Sequence, residues 1–297
     1  METLAVVSQK GGPGKTTTAV NLAAGLSLSG ADVVVVDVEP QAQAGAALGL
    51  RLNPSTLNLS LGLKLQMAAQ GLPTTVQDIV IDRSEILAKW PNHGRLALLA
   101  AEQATMVNAQ HILHAAGKAQ AHVLRELLST LEDQFDYAIL DTPPAVEALN
   151  AVALAASDYA MTVCMPKHAT VEGAVAMRAT IQHLPGQTGD TKPKYLGAVL
   201  NMAKPISEWK DEEVEVRDLM VDAGLLPFAT DIREDGRISR SYDSGVPSVI
   251  GFARHACGKR YASLLGEVLF RMESPQDEWD IALSASEMLE AKEASVV

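Results

Sequence analysis

Hydrophobic residues fall in short continuous runs separated by longer, helix-periodic stretches. Residues 3–8 (Thr-Leu-Ala-Val-Val-Ser) read as a short buried strand, followed by a glycine-rich turn and an Ala/Leu-rich helix over about 16–29. Gly30 closes that helix, as a glycine just past a C-terminus does. Residues 33–36 are four consecutive valines, the β-branched pattern of a parallel strand covered on both faces. Residues 51–90 carry Pro, Asn and Ser with weak patterning and predict short helices and loops. Another strand is predicted at 96–100, a helix-rich stretch at 103–131, and a strand at 137–140 that closes on Asp141-Thr142-Pro143-Pro144. Further strands are expected at 159–165, 196–201 and near 226–229, with helical segments between them. Strands alternating with helices predict an α/β fold, a doubly wound and mostly parallel sheet flanked by helices, with its ligand at the carboxyl ends of the strands.

Composition narrows this. With 297 residues, 47% hydrophobic and 20% charged, the chain can bury one large core. The expected organisation is one α/β domain over 1–272 and an acidic tail or helix over 273–297. The apolar runs are far shorter than the roughly 20 residues of a spanning helix, and no signal-peptide pattern opens the chain, so a cytoplasmic protein with no membrane association is expected. Cys164 and Cys257 stand far apart without CxxC spacing, which argues against a disulfide framework and against a zinc or iron–sulfur site. The net charge of −12, taken whole, opposes a polyanionic partner. However, seven acids and a single base lie in 273–297, so half of the excess sits in that segment. Because attraction to phosphate is screened within about 10 Å, a local basic patch decides nucleic-acid binding.

The strongest chemical signal is Gln9-Lys10-Gly11-Gly12-Pro13-Gly14-Lys15-Thr16-Thr17, set between the first strand and the first helix. Glycines let successive N–H groups turn inward around an anion, and the helix N-terminus adds partial positive charge. Lys15 can reach β- and γ-phosphates, and the Thr16 hydroxyl can ligate Mg²⁺. Pro13 removes one N–H donor from the cradle. The ordinary P-loop has a glycine where Gln9 stands; here a second lysine, Lys10, precedes Gly11-Gly12. This KGGxGKTT arrangement resembles the deviant Walker A box of the ParA/MinD ATPases, a class of P-loop NTPase. The resemblance implies ATP as substrate with Mg²⁺, and an ATP-dependent homodimer in which Lys10 crosses the interface to the partner's phosphates.

Asp37-Val38-Glu39-Pro40-Gln41 resembles the family's DxDPQ motif. By that resemblance Asp37 lies near the metal shell and Glu39 takes the place of the acid tied to hydrolysis. A carboxylate there can orient Mg²⁺-bound or attacking water. Glu39 is one methylene longer than the usual Asp, which points to slow turnover, and Ala42-Gln43 replaces the usual Gly-Asn. Asp141 ends a segment similar to Walker B and can hold Mg²⁺ through water. The resemblance extends over about residues 3–270. It places Asn201 where relatives read the adenine edge, an assignment that competes with a turn or capping role.

Arg233, Arg237, Arg240, Arg254, Lys259 and Arg260 cluster within 28 residues. The segment around Arg237 resembles the family segment that contacts DNA phosphates, and Lys204 is a weaker candidate of the same type. Without the resemblance these residues read as a solvated basic face. With it, they imply DNA binding without sequence preference, strengthened when dimerisation joins two patches. A nucleoid-associated ATPase follows, one that partitions plasmids, chromosomes or other cargo and is released when a ParB-like adaptor stimulates hydrolysis. The alternative is a MinD-like, membrane-associated division ATPase, which would need a terminal basic amphipathic helix; the acidic residues 277–297 offer none.

Overall fold

The computed structural model describes residues 1–144, 148–188 and 192–279. Eight strands form one sheet: β1 (Glu2–Val7), β2 (Val33–Asp37), β3 (Ile81–Asp82), β4 (Leu96–Leu99), β5 (Tyr137–Asp141), β6 (Tyr159–Cys164), β7 (Lys194–Ala203) and β8 (Ile232–Arg233). Their order across the sheet is β3-β4-β2-β5-β1-β6-β7-β8, and all pairs are parallel except β3–β4. The mostly parallel sheet is therefore as expected. The strand expected near 226–229 is not formed: only an isolated bridge joins Ala198 to Pro227, and the edge strand comes later, at β8. Leu226 has φ 49, in the left-handed region, so this stretch opens on a bend and only Pro227 bridges to β7.

The helices are α1 (Lys15–Leu28), α2 (Gln43–Ala47), α3 (Leu61–Ala69), α4 (Gln103–Ala116), α5 (Val123–Ser129), α6 (Ala148–Ala155), α7 (His168–Thr188), α8 (Asp211–Asp222), α9 (Gly236–Ser244), α10 (Ser248–Gly251) and α11 (Ala256–Glu273). The all-valine stretch of β2 explains the layering. Val34 and Val36 point into a core shared with α3–α6, while Val33 and Val35 point into a second core shared with α1, α10 and α11. Alternate residues of a strand serve opposite faces, so a strand without polar positions needs helices on both.

α1 is anchored from behind by the C-terminal helices. The Asn21 side chain accepts the Val249 N–H at 2.8 Å, and Gly25 leaves room for Leu265: a Cβ there would lie 2.8 Å from Leu265 Cδ2. Beyond α11 the chain stays attached through Trp279, which is 6% exposed, packs in the second core and donates its indole N–H to the Ser274 carbonyl. Arg271, buried between the Phe228 and Trp279 rings, donates to the carbonyls of Leu196, Leu226 and Pro227. The acidic segment expected over 273–297 thus begins as part of the core. Residues 280–297 lie outside the described residues.

Candidate nucleotide-binding site

β1 leads into the glycine loop and α1. Gly12 (φ 92) and Gly14 (φ 90) hold left-handed conformations that other residues adopt at a cost, and these turns aim the loop back across the sheet. A Cβ on Gly11 or Gly12 would meet nothing within 4 Å, so the loop lies open on that side. Gly14 caps α1 without a side-chain bond and no acid occupies the first turn, leaving the helix N-terminus with uncompensated positive character. The Ser8 hydroxyl donates to the Lys10 carbonyl at 2.7 Å and steadies the turn. The Lys10 side chain is exposed and forms no ion pair among the described residues. Pro13 and Thr16 are buried, and Thr17 is half-buried with its carbonyl accepting the Asn21 amide.

The two carboxylates lie side by side because the strands do: Asp37 and Asp141 are directly paired in the β2–β5 register, at the carboxyl ends of adjacent strands. Both are fully buried. Asp37 Oδ2 accepts the Gly45 N–H at 3.0 Å, while its Oδ1 and both oxygens of Asp141 lack a hydrogen-bond partner among the described residues. Burial raises the Asp37 carboxyl well above the ordinary value, and the Asp141 charge adds to this. Burial pushes Asp141 up to about 7; the Thr16 hydroxyl, near but outside hydrogen-bond geometry, and the Lys15 charge pull it back. Lys15 is 7% exposed, and burial lowers its pKa against the opposing pull of Asp141 and Glu39. Glu39 is 8% exposed and its Oε1 accepts the Gln41 N–H at 3.3 Å, so the longer side chain stays inside the site.

These orphaned oxygens fit a hard divalent cation. Mg²⁺ takes one or two carboxylates together with phosphate oxygens and water, not an all-protein cage. The ligand set on offer is Thr16, Asp37 and Asp141.

Asn201 has a placement the sequence left open. Its side-chain amide donates to the Pro13 carbonyl at 2.6 Å, its Oδ1 accepts the Met202 N–H at 2.9 Å, and a Cβ on Gly14 would strike its Nδ2 at 2.1 Å. Asn201 thus braces the loop from β7. Two further positioning groups escaped the sequence reading. One is the Gly45 N–H on Asp37, and the other is the Thr142 hydroxyl, which donates to the Val6 carbonyl at 2.9 Å and ties β5 to β1.

The expected basic residues do not form a uniform free patch. Lys204 pairs with Glu213 at 2.6 Å, Arg237 with Asp235 at 3.3 Å, Arg233 with Asp231 at 3.8 Å, and Arg260 also with Asp231. Arg240 lies over the Phe252 ring at 5.8 Å. Arg254 and Lys259 are exposed and form no ion pair among the described residues.

A glycine-bent loop running into a helix, with two paired carboxylates at the strand ends, defines a P-loop nucleotide-binding protein. Residues 1–192 match the AAA domain family. The chain belongs to that family, within the ParA/MinD superfamily of deviant Walker A ATPases. It is 26% identical over 273 residues to the chromosome-partitioning ATPase Soj of Treponema pallidum, covering 91% of this chain and 98% of that one. It is 28% identical over 261 residues to the maintenance of carboxysome distribution protein A of Synechococcus elongatus, covering 85% and 94%. Among solved structures, the ATP complex of a McdA variant from Cyanothece superposes with a TM-score of 0.75 at 23% identity, covering 93% of this chain and 99% of that one. The Pyrococcus horikoshii septum site-determining protein MinD with Mg-ADP gives 0.66 at 20%, covering 90% and 95%.

Proposed function

We propose that this protein is an ATP-switched positioning ATPase: ATP and Mg²⁺ bind at the glycine loop and join two copies, and the paired copies hold DNA without sequence preference. The observation that carries this reading is the pair of buried carboxylates beside Lys15 and Thr16, three of whose four oxygens lack a hydrogen-bond partner among the described residues, with an exposed Lys10 at the mouth of the loop. Lys15 and the α1 N-terminus hold the β- and γ-phosphates. Asp37, Asp141 and Thr16 hold Mg²⁺, which supplies neutralisation of developing phosphate charge. Glu39, turned back onto its own loop, orients the attacking water, and that constraint makes basal turnover slow. Lys10 reaches the phosphates of the second copy. Similarity to a chromosome-partitioning ATPase and to a carboxysome-distribution protein supports cargo positioning. A ParB-like adaptor then stimulates hydrolysis, and the protein acts in the cytoplasm, on the nucleoid. The bolting of α10 and α11 to α1 offers a route by which nucleotide state reaches the basic face.

The test is light scattering and DNA retention with ATP, with ADP and without nucleotide. Dimerisation and salt-sensitive retention confined to ATP are expected. A protein that stays monomeric with saturating ATP and magnesium, even in a hydrolysis-blocked Glu39→Ala variant, refutes the reading. Binding to anionic vesicles in place of DNA would favour the MinD-like alternative.

A further inference from the structure

A groove of about 650 Å³ runs between the turn that follows β3 and the α10–α11 junction. Its two walls are distant in sequence. One carries Lys89 and Trp90, the other Phe252, Arg254 and His255. Lys89, Arg254 and His255 are exposed and form no ion pair among the described residues. Glu85, an acid in the lining, is already held by Arg83 at 2.5 Å. The free charge in the groove is therefore positive although the whole chain carries −12. Trp90 is 37% exposed, a large aromatic surface left in water at the lip of a cationic groove. The far wall is stiffened by stacking: Arg240 lies over Phe252 at 5.8 Å, and His255 meets the same ring edge-on at 5.6 Å. Trp90 is held by its backbone N–H, which donates to the Leu87 carbonyl at 2.8 Å.

We infer that this groove carries one backbone strand of duplex DNA, with Lys89 and Trp90 as contacts that complete the basic face from the opposite edge of the sheet. The inference rests on the DNA-binding reading above and adds a second wall to it. Charge complementarity selects the occupant. Two permanent cations and a histidine face a lining whose acid is neutralised, and a phosphodiester chain presents one charge per strand about every 3.4 Å. The Trp90 indole packs against sugar and the Lys89 stem covers it, while the ammonium reaches phosphate. Such contacts position without reading bases.

The experiment uses the full chain with a non-hydrolysed ATP analogue, a labelled duplex of mixed sequence and anisotropy over a range of salt. Lys89→Glu is expected to weaken DNA binding about tenfold and to reduce the salt slope by about one, with dimerisation unchanged. Lys89→Gln should weaken it about threefold and covers the case in which the reversal disturbs folding. DNA is expected to shield the parent's Trp90 from iodide quenching, a signal lost in Trp90→Phe. If the parent binds DNA while both Lys89 variants bind equally well and quenching is unshielded, the groove is not the DNA path and the broader reading stands. If the parent dimerises yet binds no DNA, the broader reading fails and this inference with it. Tight binding of poly-glutamate in preference to DNA would make the groove an acidic-peptide site and overturn the proposal.

Discussion

At the carboxyl edge of β1, β2 and β5, Lys15, Asp37, Glu39 and Asp141 are at most 8% exposed, and three carboxylate oxygens lack partners among the described residues. Along α9–α11 the density of charge is similar but the treatment is opposite: Arg237 and Arg260 pair with local acids at the surface, Arg240 lies over the Phe252 ring, and Arg254 and Lys259 form no ion pair among the described residues. Buried, unpaired charge is costly, whereas exposed pairs are worth little either way. The sheet edge is thus poised for a ligand that supplies the missing charge. The helical face is close to neutral over most of its length, with its field focused on a few side chains. Changes at the first region should act strongly and singly, and changes at the second weakly and by accumulation.

The largest effect is expected from Lys15→Ala. It removes a cation buried inside the site, and nucleotide affinity should fall by a hundredfold or more, roughly 3 kcal/mol, measured by calorimetric titration. An affinity within a few-fold of the parent would mean that the loop backbone alone holds the phosphates, and the contrast between the regions would lose its main support.

Asp141→Asn sharpens the same contrast through stability. A carboxyl of ordinary value 3.8 raised to about 7 by burial binds its proton more tightly in the folded than in the unfolded chain. Stability from this group is therefore present below about pH 4, is lost as pH rises towards 7, and stays lost above it, by up to roughly 4 kcal/mol. The nucleotide-free parent should resist urea better at pH 5.5 than at pH 8. Asp141→Asn should reduce that slope, leaving the part set by the buried Asp37, and raise stability at pH 8, while the magnesium-dependent gain in nucleotide affinity disappears. A slope unchanged by the substitution would show that Asp141 does not carry the strain.

On the helical face, Arg254→Glu and Lys259→Glu should each weaken DNA retention by the ATP-bound form about tenfold, roughly 1.4 kcal/mol. Lys204→Glu and Arg260→Glu, which alter residues already paired with Glu213 and Asp231, should weaken it no more than about threefold. Equal losses at all four positions would break the distinction between free and neutralised charge.

How far the sequence foretold these regions follows from how local each signal is. The loop, β1, α1 and β2 were legible because a valine run and a glycine bend fix backbone and chemistry within forty residues. Gly30 capped α1 as expected, with its φ of 99. Asp37 and Asp141 were each legible as strand-end acids, but their pairing was not, since it depends on β5 inserting beside β2 after a gap of about a hundred residues. The strand placed at 226–229 failed because an apolar run does not reveal that the stretch opens on a bend at Leu226 and bridges β7 through Pro227 alone. Trp279 was hidden inside an acidic segment, where composition outweighs one aromatic that packs against Arg271. The basic cluster was read from its cations alone: Asp231 and Asp235 stand two residues before Arg233 and Arg237 and pair with them, while Glu213 reaches Lys204 from α8.

The smallest expected effect concerns two helix junctions that adopt the same backbone. Gly245, after α9, sits at φ 66, where a glycine bears no Cβ penalty. Ala42, before α2, sits at φ 54 and ψ 42 with a methyl group in the way. That conformation costs an alanine roughly 1–2 kcal/mol, and it falls in the segment that carries Glu39 and leads to the Gly45 N–H on Asp37. Ala42→Gly relieves the strain, but it frees the unfolded chain by about 0.4–1 kcal/mol and gives up a partly buried methyl. The net expectation is a gain of about 0.5 kcal/mol by urea denaturation of the nucleotide-free protein. The converse Gly245→Ala should lose at least 1 kcal/mol, since its Cβ would also lie 2.4 Å from the Gly49 Cα. If Ala42→Gly instead destabilises the chain, the methyl's packing outweighs its backbone strain, and the site's stored energy lies in its unpaired carboxylates alone.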